Sequence, residues 1–141
     1  MSNIEVRIAD WQKDNADIRR IREMVFIKEQ GVTPEQEWDS LDATAIHFLA
    51  VEDGYAMGTA RLLPDGCIGR VSVLKEWRGL KVGEALMRAA ITEAEHRSLT
   101  RQTLTAQVHA ARFYERLGFK IISDEFIEAG IPHVDMLRTS E

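Results

Sequence analysis

The chain has 141 residues, enough for one domain around one core, and residues 1–141 are expected to form a single unit. With 45% hydrophobic and 29% charged residues, no internal repeat and no low-complexity run, the composition excludes a disordered or fibrous protein. A net charge of -5 argues against a binder of nucleic-acid backbones, and one cysteine, Cys67, excludes a disulfide framework. No apolar stretch approaches the ~20 residues needed to cross a bilayer, so no membrane partner is expected. The N-terminus lacks the apolar run of a signal peptide, and the expected location is the cytoplasm.

Ile4, Val6 and Ile8 alternate with Glu5 and Arg7, the period of a half-buried strand. A helix is predicted next, capped by Asp14 and carrying Ile18, Ile21, Met24 and Val25 on its apolar face until Gly31 and Pro34 stop it. Thr33 to Thr44 is polar and acidic, with Glu35, Glu37, Asp39 and Asp42, and reads as a solvated loop with at most one helical turn. Ile46 to Val51 and Tyr55 to Leu63 flank Asp53-Gly54, a hairpin signal. Pro64-Asp65-Gly66 makes a second turn before Ile68, Val71 and Val73, so residues 45 to 74 read as an antiparallel meander.

A helix with Val82, Ala85, Leu86 and Ala89 on its apolar stripe follows, then a β-prone run from Thr103 to Val108. Ala110, Phe113, Tyr114 and Leu117 mark a short amphipathic helix closed by Gly118. Two final strands, Phe119 to Phe126 and His133 to Arg138, are predicted to join through Gly130 and Pro132. The sum is an α+β fold with a central, mostly antiparallel sheet.

The segment of greatest interest runs from Arg70 to Gly83, where a strand enters a glycine-flanked helix N-terminus. Unpaired N–H groups and the positive end of the helix macrodipole suit a pyrophosphate there, and Arg78 is expected to add a cation. Arg78-Gly79-Leu80-Lys81-Val82-Gly83, followed by Gln107-Val-His-Ala110-Ala-Arg-Phe-Tyr114, resembles the two signature motifs of the GNAT family, the GCN5-related N-acetyltransferases. Lys81 stands where that family's first glycine falls, and the cradle is expected to survive with Lys81 in an ordinary helical φ/ψ. Gln107 stands where the family has asparagine. Glu29-Gln30-Gly31 and Gly130-Ile-Pro-His133 further resemble the ElaA and YjcF branch.

The resemblance implies a GNAT-like mixed sheet with helices on both faces and acetyl-CoA as co-substrate. It implies that Val71, Ser72 and Val73 hold the pantetheine arm, that Arg78, Gly79, Leu80, Lys81, Val82 and Gly83 hold the pyrophosphate, and that Gln107, Ala110, Phe113 and Tyr114 complete the site. Val73 N–H is the candidate oxyanion donor and Tyr114 the candidate general acid for the leaving thiolate. Glu37 and His133 are the candidate bases for the acceptor ammonium. The expected reaction is direct attack by a primary amine, on a small molecule or a protein, within a ternary complex. The alternative is a non-catalytic acyl-CoA-binding sensor or partner-binding domain.

Acidic residues near the mouth would favour a cationic amine. Nothing beside Cys67 lowers a thiol pKa, which argues against a covalent route. His47, His96, His109 and His133 show no metal-ligand spacing, so no metal is expected, and His47 reads as a hydrogen-bonded strand residue. An edge strand near the C-terminus leaves room for a homodimer.

Overall fold

Asp10, not Asp14, starts the first helix. The computed structural model describes residues 3–140. Strand β1 (Glu5–Ala9) leads into Asp10, whose Oδ1 accepts from Gln12 and Lys13 N–H and caps α1 (Trp11–Arg22). Asp14 lies in the first turn, accepts from Asp10 N–H and pairs with Arg7 at 3.0 Å. The helix continues as a π-helical stretch, Glu23–Glu29, whose wider turn shifts the phase of the side chains. Val25 stays buried there, while Met24, expected on the apolar face, is half exposed.

The acidic segment contains two turns instead of one. Thr33 and Gln36 form a capping box on α2 (Pro34–Glu37), and Asp39 caps a 3-10 turn at Ser40–Ala43. Both turns aim carboxylates inward.

Strands β2 (Ile46–Glu52), β3 (Tyr55–Leu62) and β4 (Ile68–Val73) join β1 in an antiparallel sheet of order β1-β2-β3-β4, the predicted meander. Asp53 and Gly54 take φ of 50° and 81°, the left-handed pair that a two-residue hairpin requires. Helices cover both faces. On one face of β3, Gly58 lets α3 (Val82–His96) approach so closely that an added Cβ would lie 3.0 Å from Val82 Cγ1. On the other, Arg61 reaches Asp42, which also holds Arg22 of α1. Phe48, Met57, Leu62, Leu86 and Met87 are buried between these layers.

The rest of the chain builds a second sheet. β5 (Arg101–Gln107) is followed by a 3-10 turn at Val108–Ala110 and α4 (Ala111–Glu115), then by β6 (Lys120–Ile121), β7 (Phe126–Glu128) and β8 (Ile131–Thr139). The order is β5-β8-β6, with β7 also on β8. The predicted strand from Phe119 to Phe126 is therefore two short pieces, and Pro132 lies inside β8 opposite Ile127 while Ala129 and Gly130 turn the chain. Among the described residues the two sheets meet through one parallel bridge, Cys67 to Thr103, making the assembly mixed. Beyond that bridge β4 and β5 diverge.

Candidate active site

The divergence of β4 from β5 opens a cleft of about 1380 Å³. Its walls gather every residue that the sequence assigned to the site except Leu80, which is half exposed outside it. Backbone alternation fixes what β4 presents. Leu74 N–H bonds Met57 O of β3, so the polar groups of Val73 point the other way, into the gap. The carbonyl of Val73 accepts from Arg78 Nε at 3.0 Å, and its N–H faces the cleft. A bulge between β3 and β4 puts Arg70 at φ 52° just before this stretch, a left-handed conformation that costs a non-glycine residue free energy and marks sites of function.

After β4 a 3-10 turn (Lys75–Trp77) carries the chain to Arg78 and Gly79, the latter at φ 81° with open space where a Cβ would be. The first intrahelical bond of α3 runs from Ala85 N–H to Lys81 O, which leaves Val82, Gly83 and Glu84 N–H as free donors. A Cβ added at Gly83 would lie 3.6 Å from Phe113 Cζ and 3.9 Å from Val73 Cγ2. Free donors, a glycine on the floor and a cleft of this size fit a CoA pyrophosphate and pantetheine.

Two expectations about this loop fail. Lys81 is not helical; it is left-handed at φ 64°, the conformation for which glycine is suited. Arg78 is not a free cation, since Nη1 and Nη2 clasp Glu29 at 2.5 and 2.7 Å. That pair holds the Glu29 carboxyl below the usual range and ties the π-helical stretch to the loop ahead of α3.

The opposite wall carries Tyr114, whose ring meets Phe113 and Phe119 edge to face at 4.9 and 6.3 Å. Burial pushes its phenol up to about 12, so it stays protonated and keeps an O–H to donate near neutral pH. Gln107, at the end of β5, donates to Gln30 Oε1 at 2.9 Å and accepts from His109 Nε2 at 2.6 Å. The amide thus bridges β5 to the π-helical stretch.

Glu37, at the end of α2, and His133, on β8, both line the cleft. His133 pairs with Gln107 in the β5–β8 ladder and is 8% exposed. Its Nδ1 donates to Ile131 O at 2.7 Å, which leaves Nε2 as the lone-pair nitrogen, and Phe126 stacks on the ring at 6.1 Å. Glu37 is 2% exposed. Its Oε2 accepts from Arg22 Nε at 2.7 Å, Oε1 takes no hydrogen bond within the described residues, and burial pushes the carboxyl up against the pull of its arginines.

The acidic segment is therefore no solvated face. Arg22 also holds Asp42 at 2.8 Å, Arg61 holds Asp42 and Asp39 at 2.9 Å, and Arg70 approaches Asp39 at 3.3 Å and Glu37 at 3.4 Å. Three carboxylates are matched by three arginines. Of the acidic residues expected near the mouth, Glu37, Asp39 and Asp42 are thus paired with arginines and are not free negative charges. Arg22 also lies over the Trp38 ring at 4.9 Å, and Arg19 covers the other contacts of Trp38 and Trp11.

Arg70 and the pairing of Arg78 with Glu29 escaped the site reading, although Arg70 sits in the strand that leads to the glycine motif. His47 and Cys67 behave as read. His47 is buried against Trp11 and donates Nε2–H to Asp42 O at 2.9 Å, and burial pushes the Cys67 thiol up. Among the described residues, no cluster of three His, Cys, Asp or Glu could hold a metal ion, and no helix is long and apolar enough to cross a membrane.

Comparison with known proteins agrees with this geometry. The family model described as an acetyltransferase (GNAT) domain matches residues 17–140. The N-acetyltransferase YjcF of Bacillus subtilis is 34% identical over 93% of this chain and 96% of its own length. ElaA of Escherichia coli is 34% identical over 84% and 83%. The crystal structure of Escherichia coli ElaA superimposes with a TM-score of 0.86 at 30% identity, covering 95% of this chain and 99% of that one. An acyl-CoA N-acyltransferase from Pseudomonas aeruginosa gives 0.84 at 33% identity, covering 97% and 99%. The chain belongs to the GNAT acetyltransferase family, whose members transfer acetyl groups from acyl-CoA to amines.

Proposed function

We propose that the protein is an acetyl-CoA-dependent N-acetyltransferase in which a primary amine attacks the thioester directly, both substrates being bound at once. The observation that carries this reading is the gap between β4 and β5, into which Val73 N–H points and which ends on the free donors of Val82, Gly83 and Glu84. The backbone of Val71 and Val73 is available to the pantetheine arm on the open side of β4, with Ser72 between them.

The nitrogen must be neutral to attack. His133 Nε2 takes the proton from the acceptor ammonium, because its other nitrogen is committed to Ile131 O. Glu37 holds the ammonium through Oε1 beforehand. Val73 N–H donates to the oxyanion as the carbonyl carbon becomes tetrahedral, a contribution of about 3 kcal/mol for one well-aimed donor. Tyr114 then stabilises the departing thiolate, which takes up the second proton that the nitrogen sheds as the tetrahedral species collapses. With its phenol near 12 and a thiol's ordinary value near ~8.5, it acts mainly by holding a hydrogen bond on sulfur. A thiol-release assay with acetyl-CoA and a panel of primary amines tests the assignment. Tyr114→Phe should keep acetyl-CoA affinity and lose rate, and His133→Gln should do the same. Tight acetyl-CoA binding with no transfer to any amine would instead support the sensor reading.

A further inference from the structure

Resting on the transferase reading, we infer that Arg70 selects an acceptor that carries a carboxylate beside its amine, of which an α-amino acid is the simplest case. Arg70 lines the cleft with its side chain 26% exposed, and its intrachain hydrogen bonds all leave from Nη2, to Gln36 O, Glu37 O and Asp39 Oδ2. Nη1 and its two N–H groups have no partner among the described residues. Nε is buried and also makes no hydrogen bond, its only neighbour of opposite charge being Glu37 Oε2 at 3.4 Å.

An arginine left with donors to spare, on a bulge that holds it in a strained left-handed backbone, is poised for an anion. The group beside it is Glu37, whose Oε1 is equally unused. A carboxylate and a guanidinium edge side by side match an ammonium and a carboxylate separated by one carbon. Charge balance favours the same acceptor. Glu37, Asp39 and Asp42 are already neutralised by Arg22, Arg61 and Arg70, so a zwitterion enters without changing the net charge of the site. A simple ammonium would pair with Glu37 and leave Arg70 Nη1 facing nothing.

The test uses matched acceptors on the unaltered protein: phenylalanine against phenethylamine and phenylalanine amide, and leucine against isoamylamine. Thiol release is followed with acetyl-CoA saturating. The expected result is a kcat/KM about tenfold to a hundredfold higher for the amino acids, the range of one charge-assisted contact. Arg70→Gln, checked for an unchanged melting profile, should remove that preference by raising KM for the amino acids far more than for the matched amines, with kcat little moved. Equal or faster turnover of the decarboxylated amines overturns the inference while leaving the transferase reading intact. No transfer to either member of any pair overturns both.

Discussion

Lys81 occupies a position that its backbone, at φ 64°, reserves for residues without a Cβ penalty. For an L residue that conformation costs about 1–2 kcal/mol. Lys81→Gly removes this cost but loosens the unfolded chain, which takes back about 0.4–1 kcal/mol. The net expectation is a gain of about 0.5–1 kcal/mol. With an unfolding entropy near ~0.3 kcal/mol/K for a chain this size, that is a rise in Tm of about 2–3 °C. Lys81→Asn, which tolerates the left-handed region without the full entropy loss, should gain as much or more. Lys81→Met keeps the strain and should leave Tm unmoved.

The same series separates strain from charge. Lys81 forms no ion pair among the described residues and lines the cleft at the N-terminus of α3. All three variants should therefore weaken acetyl-CoA binding slightly and alike, by the ~0.2–1 kcal/mol of one exposed charge pair. Urea and thermal unfolding of the free protein, with isothermal titration of acetyl-CoA, measure both quantities. A lower Tm for both the glycine and the asparagine variant would refute the reasoning.

Other consequences follow from the same geometry. Arg22→Met strips the buried Glu37 and Asp42 of their shared partner and should cost about 3–5 kcal/mol in urea unfolding, whereas Arg88→Met, breaking an exposed pair with Glu84, should cost under about 0.5 kcal/mol. Gly58→Ala drives a methyl against Val82 and Leu86 and should destabilise by about 1–3 kcal/mol while weakening acetyl-CoA binding through displacement of α3; Gly83→Ala meets ordinary contacts and should lower affinity alone. Asp14, Asp39 and Asp42 are held below the usual carboxylate range by Arg7, Arg61 and Arg22. The stability they contribute is in place above their unfolded value near ~3.9 and is lost as pH falls through their native values, so acid unfolding should begin below about pH 4 and shift upward in Asp39→Asn. Glu37 has the opposite sign, since burial raises it: its contribution is full below its unfolded value and fades as pH rises through the native one. An acid-range stability profile whose slope is unchanged in Asp39→Asn would contradict the first assignment, and one unchanged in Glu37→Gln the second.

Much of the frame was legible because its signals are local. Asp53-Gly54 fixes a hairpin, and the run from Arg70 to Gly83 joins strand to helix with the glycines a phosphate loop needs. What the sequence concealed depends on partners distant along the chain. Glu37, Asp39 and Asp42 read as solvated because Arg22, Arg61 and Arg70 lie elsewhere, and whether a carboxylate is paired cannot be read from its neighbours in sequence. Arg78 likewise looks free until Glu29 is brought beside it. The left-handed turn at Lys81 carries no glycine to announce it, and the π-helical stretch moves Met24 outward where a 3.6-residue period predicts it inside.

Isothermal titration of the purified protein with acetyl-CoA tests the central claim most directly, with dephospho-CoA and Gly83→Ala as comparisons. Saturable one-to-one binding, retained with dephospho-CoA and weakened by Gly83→Ala, is the predicted result. Absence of binding at millimolar acetyl-CoA would contradict the account, because the gap between β4 and β5 would then have some other use.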